Sequence, residues 1–386
     1  MLKIAIIGTG NISRLHIEGY QEFSEKCRIV ALCDIVPAKA EAMKANYNLA
    51  EAKIYESYQD MLSEGGFDLA SICTPPFCHA EISINALKAG VNVLVEKPMA
   101  ASLEECDQML AAERESGKIL SVIAQNRFRD PIKNLKAVLD SNLAGRVLHA
   151  QVDSFWWRGH SYYDLWWRGR WDREGGGCTL NHAVHHIDML LWMMGEPDKV
   201  TALLSNAAHN NAEVEDISLA ALRYPNGALS QITSSVIHHG EEQQLIFQCE
   251  KARISAPWQV YASISQPNGF PVENKELAGQ LDDFVTALPQ LNYEGHTAQI
   301  EDVLKAVENG TRPSVGGIDG RRTIALICAI YRAGTLKRET AFTIDKDDDF
   351  YTVEGILKSV PRFFEKTASV DELGGTITVG SNYKYF

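Results

Sequence analysis

Lys3-Ile4-Ala5-Ile6-Ile7-Gly8-Thr9-Gly10-Asn11-Ile12-Ser13 is the stretch whose reading decides the fold. An apolar run ends on two closely spaced glycines and gives way at once to helical spacing. A strand that stops at a tight turn and opens a helix is the context in which Gly-x-Gly binds a dinucleotide. Gly8 permits the turn, and Gly10 lets the backbone approach a pyrophosphate. Asn11 and Ile12 lead into a helix N-terminus whose unpaired N–H groups would face the phosphates. Ser13 stands in place of the third glycine and is small enough for close helix–strand packing. Asp34 closes the next apolar run, where a carboxylate accepts hydrogen bonds from the adenosine ribose hydroxyls. It would repel a 2′-phosphate, and its neighbour Ile35 offers no compensating cation. The expected cofactor is therefore NAD rather than NADP.

Outward from this turn the pattern repeats. Apolar runs at 3–8, 29–34, 69–74, 92–96 and 119–124 alternate with helical spacing at 12–23, 37–47, 81–89 and 103–115. Strands alternating with helices predict a parallel sheet. Their apolar character throughout predicts helices on both faces. After Gly145 the texture changes. Segments 147–157, 199–205, 217–224, 228–237, 244–249 and 252–256 read as strands, interrupted by one helix near 179–194. Tyr224-Pro225-Asn226-Gly227-Ala228 predicts a hairpin closed by an Asn-Gly type I′ turn. Helical spacing returns at 279–287, 297–308 and 321–333. The expected architecture is an α/β Rossmann domain over 1–125 plus an α+β domain with a large open, mostly antiparallel sheet over 126–345. The late helices are expected to pack back on the Rossmann domain. A C-terminal extension, 346–386, contains the acidic run Asp347-Asp348-Asp349.

Bulk properties narrow the class. The 386 residues are 45% hydrophobic and 23% charged, with a net charge of −13. That balance suits a globular protein and argues against a nucleic-acid surface, which needs a basic footprint. Eight scattered cysteines form no Cys-x-x-Cys pair, and several lie in apolar runs, as expected in a reducing cytoplasm. No apolar stretch reaches the length of about 18 residues that a membrane span requires.

Two further strand ends carry unusual sequences: Cys73-Thr74-Pro75-Pro76-Phe77-Cys78-His79 and Val95-Glu96-Lys97-Pro98. Proline directly after a strand stops the ladder at the sheet's carboxyl edge, where open α/β sheets bind ligands. Thr74, Pro75, His79, Glu96 and Lys97 are accordingly expected at the cofactor. With the Gly-x-Gly turn, Asn126-Arg127-Phe128, the run Gly175-Gly176-Gly177 and Gly320-Arg321-Arg322, the chain resembles the Gfo/Idh/MocA family of sugar and inositol oxidoreductases over nearly its whole length.

The resemblance implies a two-domain fold that assembles into homodimers or homotetramers through its open sheet. It implies a carbohydrate or polyol substrate, and cofactor contacts at Asn126, Trp167 and Arg168. Lys97 would touch both the nicotinamide ribose and the substrate hydroxyl and relay a proton. Asn181, His185 and Asp188 match the family's Asp/Asn, His, Asp pattern. Spacings of four and three put them near one helical face. His185 is expected as general base, with His182 beside it at the substrate. Asn181 cannot be a base, so it is expected to orient substrate while Lys97 and His185 share the proton transfer. Arg127, His160 and Tyr163 complete the expected substrate contacts. The last two come from an aromatic run, 156–171, that also offers Arg158; His238-His239 is a weaker candidate. A metal held by His182, His185, His186 and Asp188 is disfavoured because adjacent histidines diverge by about 100° on a helix. His186 reads as structural, and no metal is expected. The implied activity is NAD-dependent oxidation of a secondary hydroxyl. Its rivals are glycoside cleavage through transient C3 oxidation with tightly held NAD, and a non-catalytic NAD or sugar sensor.

Overall fold

The computed structural model describes residues 1–371 and Gly374. The chain forms two compact units: Met1–Phe128 with Asn292–Ile324, and Arg129–Leu291 with the chain from Ala325 onward.

In the first unit six parallel strands form one sheet: β1 (Leu2–Ile7), β2 (Cys27–Cys33), β3 (Lys53–Tyr55), β4 (Leu69–Ile72), β5 (Asn92–Val95) and β6 (Leu120–Val122), in the order β3-β2-β1-β4-β5-β6. The order reverses between β1 and β4, the switch point at which such sheets open a crevice. Helices α1 (Ser13–Gln21), α2 (Pro37–Asn46), α3 (Tyr58–Glu64), α4 (His79–Lys88) and α5 (Leu103–Ser116) connect the strands. Ile4, Ile6, Leu69 and Leu94 are fully buried, as continuous apolar strands require. The strand β3 and helix α3 escape sequence reading because Lys-Ile-Tyr is too short to show a period.

The second unit holds α6 (Asp130–Ser141), α7 (Trp171–Glu174), α8 (Cys178–Asn181), α9 (Val184–Met194) and α10 (Lys275–Thr286). Its sheet comprises β7 (Val147–Phe155), β8 (Lys199–Ser205), β9 (Ile217–Arg223), β10 (Leu229–Ser235), β11 (Gln243–Cys249), β12 (Ala252–Ala256), β13 (Gln259–Ser265), β14 (Pro271–Glu273) and β15 (Thr340–Ala341). The order is β14-β13-β12-β11-β7-β10-β9-β8-β15, antiparallel except for β7 beside β10. Ala150, Val152, Leu222, Ile232 and Phe247 bury one face, while Leu203, Leu219, Leu229 and Tyr261 stay exposed. Helix α11 (Gly295–Asn309) packs on α1 in the first unit, with Ile300, Val303 and Leu304 joining the core of Ile17 and Tyr20. Helix α12 (Gly317–Leu336) and α13 (Val353–Ser359) follow.

Two local expectations are corrected. The 225–227 turn is not type I′, because Asn226 does not take a positive φ; only Gly227 does, at 84°. Pro225 holds φ negative, the Gly227 N–H bonds back to the Tyr224 carbonyl, and the left-handed residue follows the turn instead of sitting inside it. The helix at 179–194 is likewise broken. The N–H groups of both His182 and Ala183 reach the Cys178 carbonyl, at 3.1 and 2.9 Å. That wider turn at 182–183 separates α8 from α9.

Beyond α13 the chain lies along the aromatic run. The Trp171 indole N–H donates to the Pro361 carbonyl at 3.1 Å, and Val370 bonds through its backbone to Asp164 and Trp166. Of the expected C-terminal extension, 372–373 and 375–386 lie outside the described residues. Among the described residues no helix is long and apolar enough to cross a membrane.

Candidate functional site

In the first unit, the turn after β1 forms as its glycines demand. Gly8 has φ +88°, and a Cβ there would lie 2.8 Å from the Cys73 carbonyl group at the end of β4. A Cβ on Gly10 would meet nothing within 4 Å, so its backbone is open to a ligand. The Ser13 hydroxyl donates to the Gly10 carbonyl at 2.7 Å, and no side chain caps the first turn of α1. Asn11 and Ile12 form the approach to that helix. The Asp34 carboxylate accepts from the Thr9 N–H and hydroxyl, both at 2.8 Å, and from the Val36 N–H at 2.9 Å. These bonds hold the carboxylate facing the glycine turn. Ile35 beside it points into solvent, 83% exposed.

The carboxyl edge of the sheet carries buried polar atoms with no hydrogen-bond partner in the protein. They are Thr74 Oγ1, after β4, and both amide atoms of Asn126, after β6. Buried polar groups are ordinarily satisfied, so these orphans fit a polar ligand lying along that edge. Together with the open Gly10 backbone they suit a dinucleotide.

Other expected cofactor residues take different places. His79 is buried, with Nδ1 2.7 Å from the Pro98 carbonyl and Nε2 2.8 Å from the Thr74 carbonyl. Its ring thus ties together the loops after β4 and β5, and burial lowers its pKa. Pro75 continues the same loop in extended conformation. Glu96 turns inward, accepting from the Lys97 N–H at 3.1 Å and contacting His16 and His296. Lys97 itself is half-buried at the end of β5. Arg127, expected at the substrate, is buried in an ion pair with Asp319 at 3.1 Å. Its charge is thus already matched within its own unit.

The second unit explains the three glycines. A Cβ on Gly176 would overlap the Tyr331 hydroxyl, and one on Gly177 would overlap the Glu215 carbonyl oxygen. Glu215 is fully buried behind them. It accepts from the Gly177 N–H at 3.1 Å, the Thr179 N–H at 3.0 Å and the Tyr331 hydroxyl at 3.0 Å. Burial pushes its pKa up to about 7, against the pull of those donors. A carboxyl group thus anchors the start of α8. At the other end of that turn, the Asn181 amide donates to the Gly176 and Gly177 carbonyls at 2.8 and 3.3 Å. His185 and Asp188 are buried on α9, and His186 is buried completely, its pKa driven down to about 3 by burial.

The aromatic run divides sharply. Tyr163, expected at the substrate, is 1% exposed and packs against Tyr162 and His209. Tyr162, which the sequence reading passed over, has its hydroxyl 3.4 Å from His182 Nε2. Arg168 lies 4.1 Å over the Tyr162 ring and 4.2 Å over Trp167, and pairs with buried Glu174 at 2.8 Å. His160 is exposed beside His209, whose Nδ1 meets Asp216 at 2.9 Å. His238 stacks on Phe155 and His239 on Trp157. Adjacent tyrosines gave no signal for which one faces inward, because a short irregular segment has no period.

Among the described residues, one set of side chains lies close enough to hold a metal ion: His16, Glu96 and His296. It is not the 182–188 cluster weighed from the sequence.

Comparison with known proteins places these features. Residues 2–124 match the model of an oxidoreductase family with an NAD-binding Rossmann fold, and residues 132–255 match the GFO/IDH/MocA C-terminal domain. The chain is 24% identical over 330 residues to myo-inositol 2-dehydrogenase of Thermotoga maritima, covering 84% of this chain and 94% of that protein. It is 28% identical over 255 residues to 1-carboxy-3-chloro-3,4-dihydroxycyclohexa-1,5-diene dehydrogenase of Comamonas testosteroni, covering 64% of this chain and 60% of that protein. The crystal structure of the WlbA dehydrogenase from Bordetella pertussis, in complex with NADH and UDP-GlcNAcA, superposes with a TM-score of 0.77 at 27% identity, covering 89% of this chain and 98% of that one. With both domain models matched in order along it, the chain belongs to the Gfo/Idh/MocA family of NAD-binding oxidoreductases.

Proposed function

We propose that this protein is an NAD-dependent dehydrogenase acting on a secondary hydroxyl of a carbohydrate, glycoside or inositol. The observation that carries the reading is one sheet edge. There the glycine turn after β1, Asp34 after β2 and Lys97 after β5 all lie at the carboxyl ends of parallel strands. Gly8, Gly10, Asp34, Thr74 and Asn126 would hold the cofactor. When bound, NAD+ supplies the two-electron acceptor for the hydrogen leaving the carbinol carbon. Lys97 holds the substrate hydroxyl and relays its proton, and His185 accepts a proton as general base. Asn181, its amide nitrogen spent on glycine carbonyls, directs its oxygen to substrate. The inositol dehydrogenase among the relatives and the nucleotide sugar in the WlbA complex support a polyhydroxylated substrate.

The test is a screen for NADH formation over inositols, free hexoses, hexuronates and glycosides. Turnover of none of them sinks the reading. Aglycone release without NADH accumulation would transfer it to glycoside cleavage by transient oxidation.

Cofactor choice gives a sharper expectation. Asp34→Asn removes the charge that opposes a 2′-phosphate and is expected to raise the ratio of kcat/KM for NADP+ over NAD+ by about 10²-fold. An unchanged ratio would show that Asp34 does not face the ribose. The exposed apolar face of the second sheet, with Leu203, Leu219 and Leu229, supports assembly of copies of this chain. Light scattering is expected to give a dimer or tetramer, and Leu219→Arg to lower that mass; a monomeric wild-type protein would refute it.

A further inference from the structure

Glu96 sits at the end of β5, yet its carboxylate does not project from the sheet edge. Its side chain is 4% exposed, and its oxygens divide the work. Oε1 lies 3.0 Å from His16 Nε2, on α1, and 3.1 Å from His296 Nε2, on α11. Oε2 accepts the Lys97 backbone N–H at 3.1 Å. The two imidazoles stand edge to face, 5.5 Å apart. Behind them, His16 Nδ1 meets the Ser71 hydroxyl at 3.1 Å, and that hydroxyl meets the Tyr20 hydroxyl at 2.7 Å. Cys73 also faces His16.

A buried carboxylate is costly unless donors surround it. Here two helices each supply one imidazole, and both converge on the oxygen that does not hold Lys97. Burial opposes ionisation of Glu96, but the two histidines hold its pKa well below the usual carboxylate range. The charged, acceptor-only form is the one that can receive all three N–H groups at once.

We propose that His16 and His296 are positioning residues for Lys97, acting through Glu96. The cradle fixes the peptide from which Lys97 departs, and so sets where its ammonium meets the substrate hydroxyl. This inference rests on the assignment of Lys97 as a catalytic residue. It gives a physical role to two histidines separated by 280 residues of chain, neither marked by any motif.

His296 is the residue to test, because its side chain reaches the surface, 11% exposed, whereas His16 is wholly buried. His296→Ala is expected to lower kcat about tenfold in the folded enzyme, with the NADH dissociation constant close to wild type, since misplacement of a catalytic group falls on turnover. His296→Gln returns an N–H donor to the same oxygen and is expected to recover kcat to within about threefold. Glu96→Gln keeps volume but replaces one of the two acceptor oxygens with an amide N–H, so either Lys97 or the two imidazoles lose their acceptor, and it is expected to lower kcat about 100-fold. Wild-type kcat in His296→Ala and Glu96→Gln, alongside an inactive Lys97→Met, would overturn the cradle and leave the dehydrogenase reading standing. An active Lys97→Met would remove the catalytic assignment of Lys97, and the cradle's role with it. Stoichiometric zinc or iron in purified protein, lost in His296→Ala, would overturn the positioning role in favour of a metal site.

Discussion

Lys97→Met is expected to lower kcat by about 10³-fold, the usual worth of a positioned proton donor or acceptor, while leaving the melting temperature unchanged. Methionine keeps the apolar stem that lies half-buried at the end of β5 and removes only the ammonium. The substrate hydroxyl then loses both its anchor and a path for its proton. His185→Asn is expected to fall by a comparable factor. If the two groups share one proton transfer, the double variant falls far less than the product of the single losses, because residues acting as a unit are not additive. Steady-state kinetics with the substrate found in the screen reads all three. A Lys97→Met enzyme with near-normal turnover ends the proposed mechanism, whatever the histidine does.

Gly177→Ala is the substitution expected to cost most in stability. The new methyl group would overlap the Glu215 carbonyl oxygen, which is main chain, and its carboxyl carbon would lie 2.9 Å away. Neither can step aside cheaply, since Glu215 is buried and already bonded to Gly177, Thr179 and Tyr331. Forcing bulk into a site this tight costs about 3 kcal/mol or more. In a chain of this size that corresponds to a fall of about 4 °C in melting temperature. Gly279→Ala is the control. It lies inside α10 with nothing within 4 Å of its would-be Cβ. Alanine there is expected to stabilise by about 0.5–1 kcal/mol. Thermal unfolding of the two variants decides the matter, and a Gly177→Ala protein that melts with the wild type would refute the close approach. The start of α8 carries Asn181, so a folded Gly177→Ala protein is also expected to lose turnover.

Both expectations concern residues that stood out in the sequence, but for unequal reasons. Lys97 was legible from its local setting, an apolar strand before it and a proline after it. The triple glycine was legible only as an anomaly. The neighbours that require it, Glu215 and Tyr331, are distant in sequence and carry no mark. Asn181, His185 and Asp188 could be named by their spacing, but the single helix expected across them is two, α8 and α9. The wide turn near His182 that divides them is a backbone event that side-chain periodicity does not register. Tyr162 and Tyr163 show the same limit at single-residue scale: both are aromatic, and only packing sends one into the core.

The Gly8 turn, the alternation of apolar strands with helices, and the placement of Asp34 and Lys97 just beyond strand ends follow from sequence alone. Each rests on backbone sterics or on a period of two or 3.6 residues, which neighbouring positions impose on one another. The cradle around Glu96 could only come from the tertiary structure. Its members lie on α1, just after β5 and on α11, and no local rule relates residues that far apart. What joins them is the cost of burying a carboxylate, a cost felt only once the chain has folded.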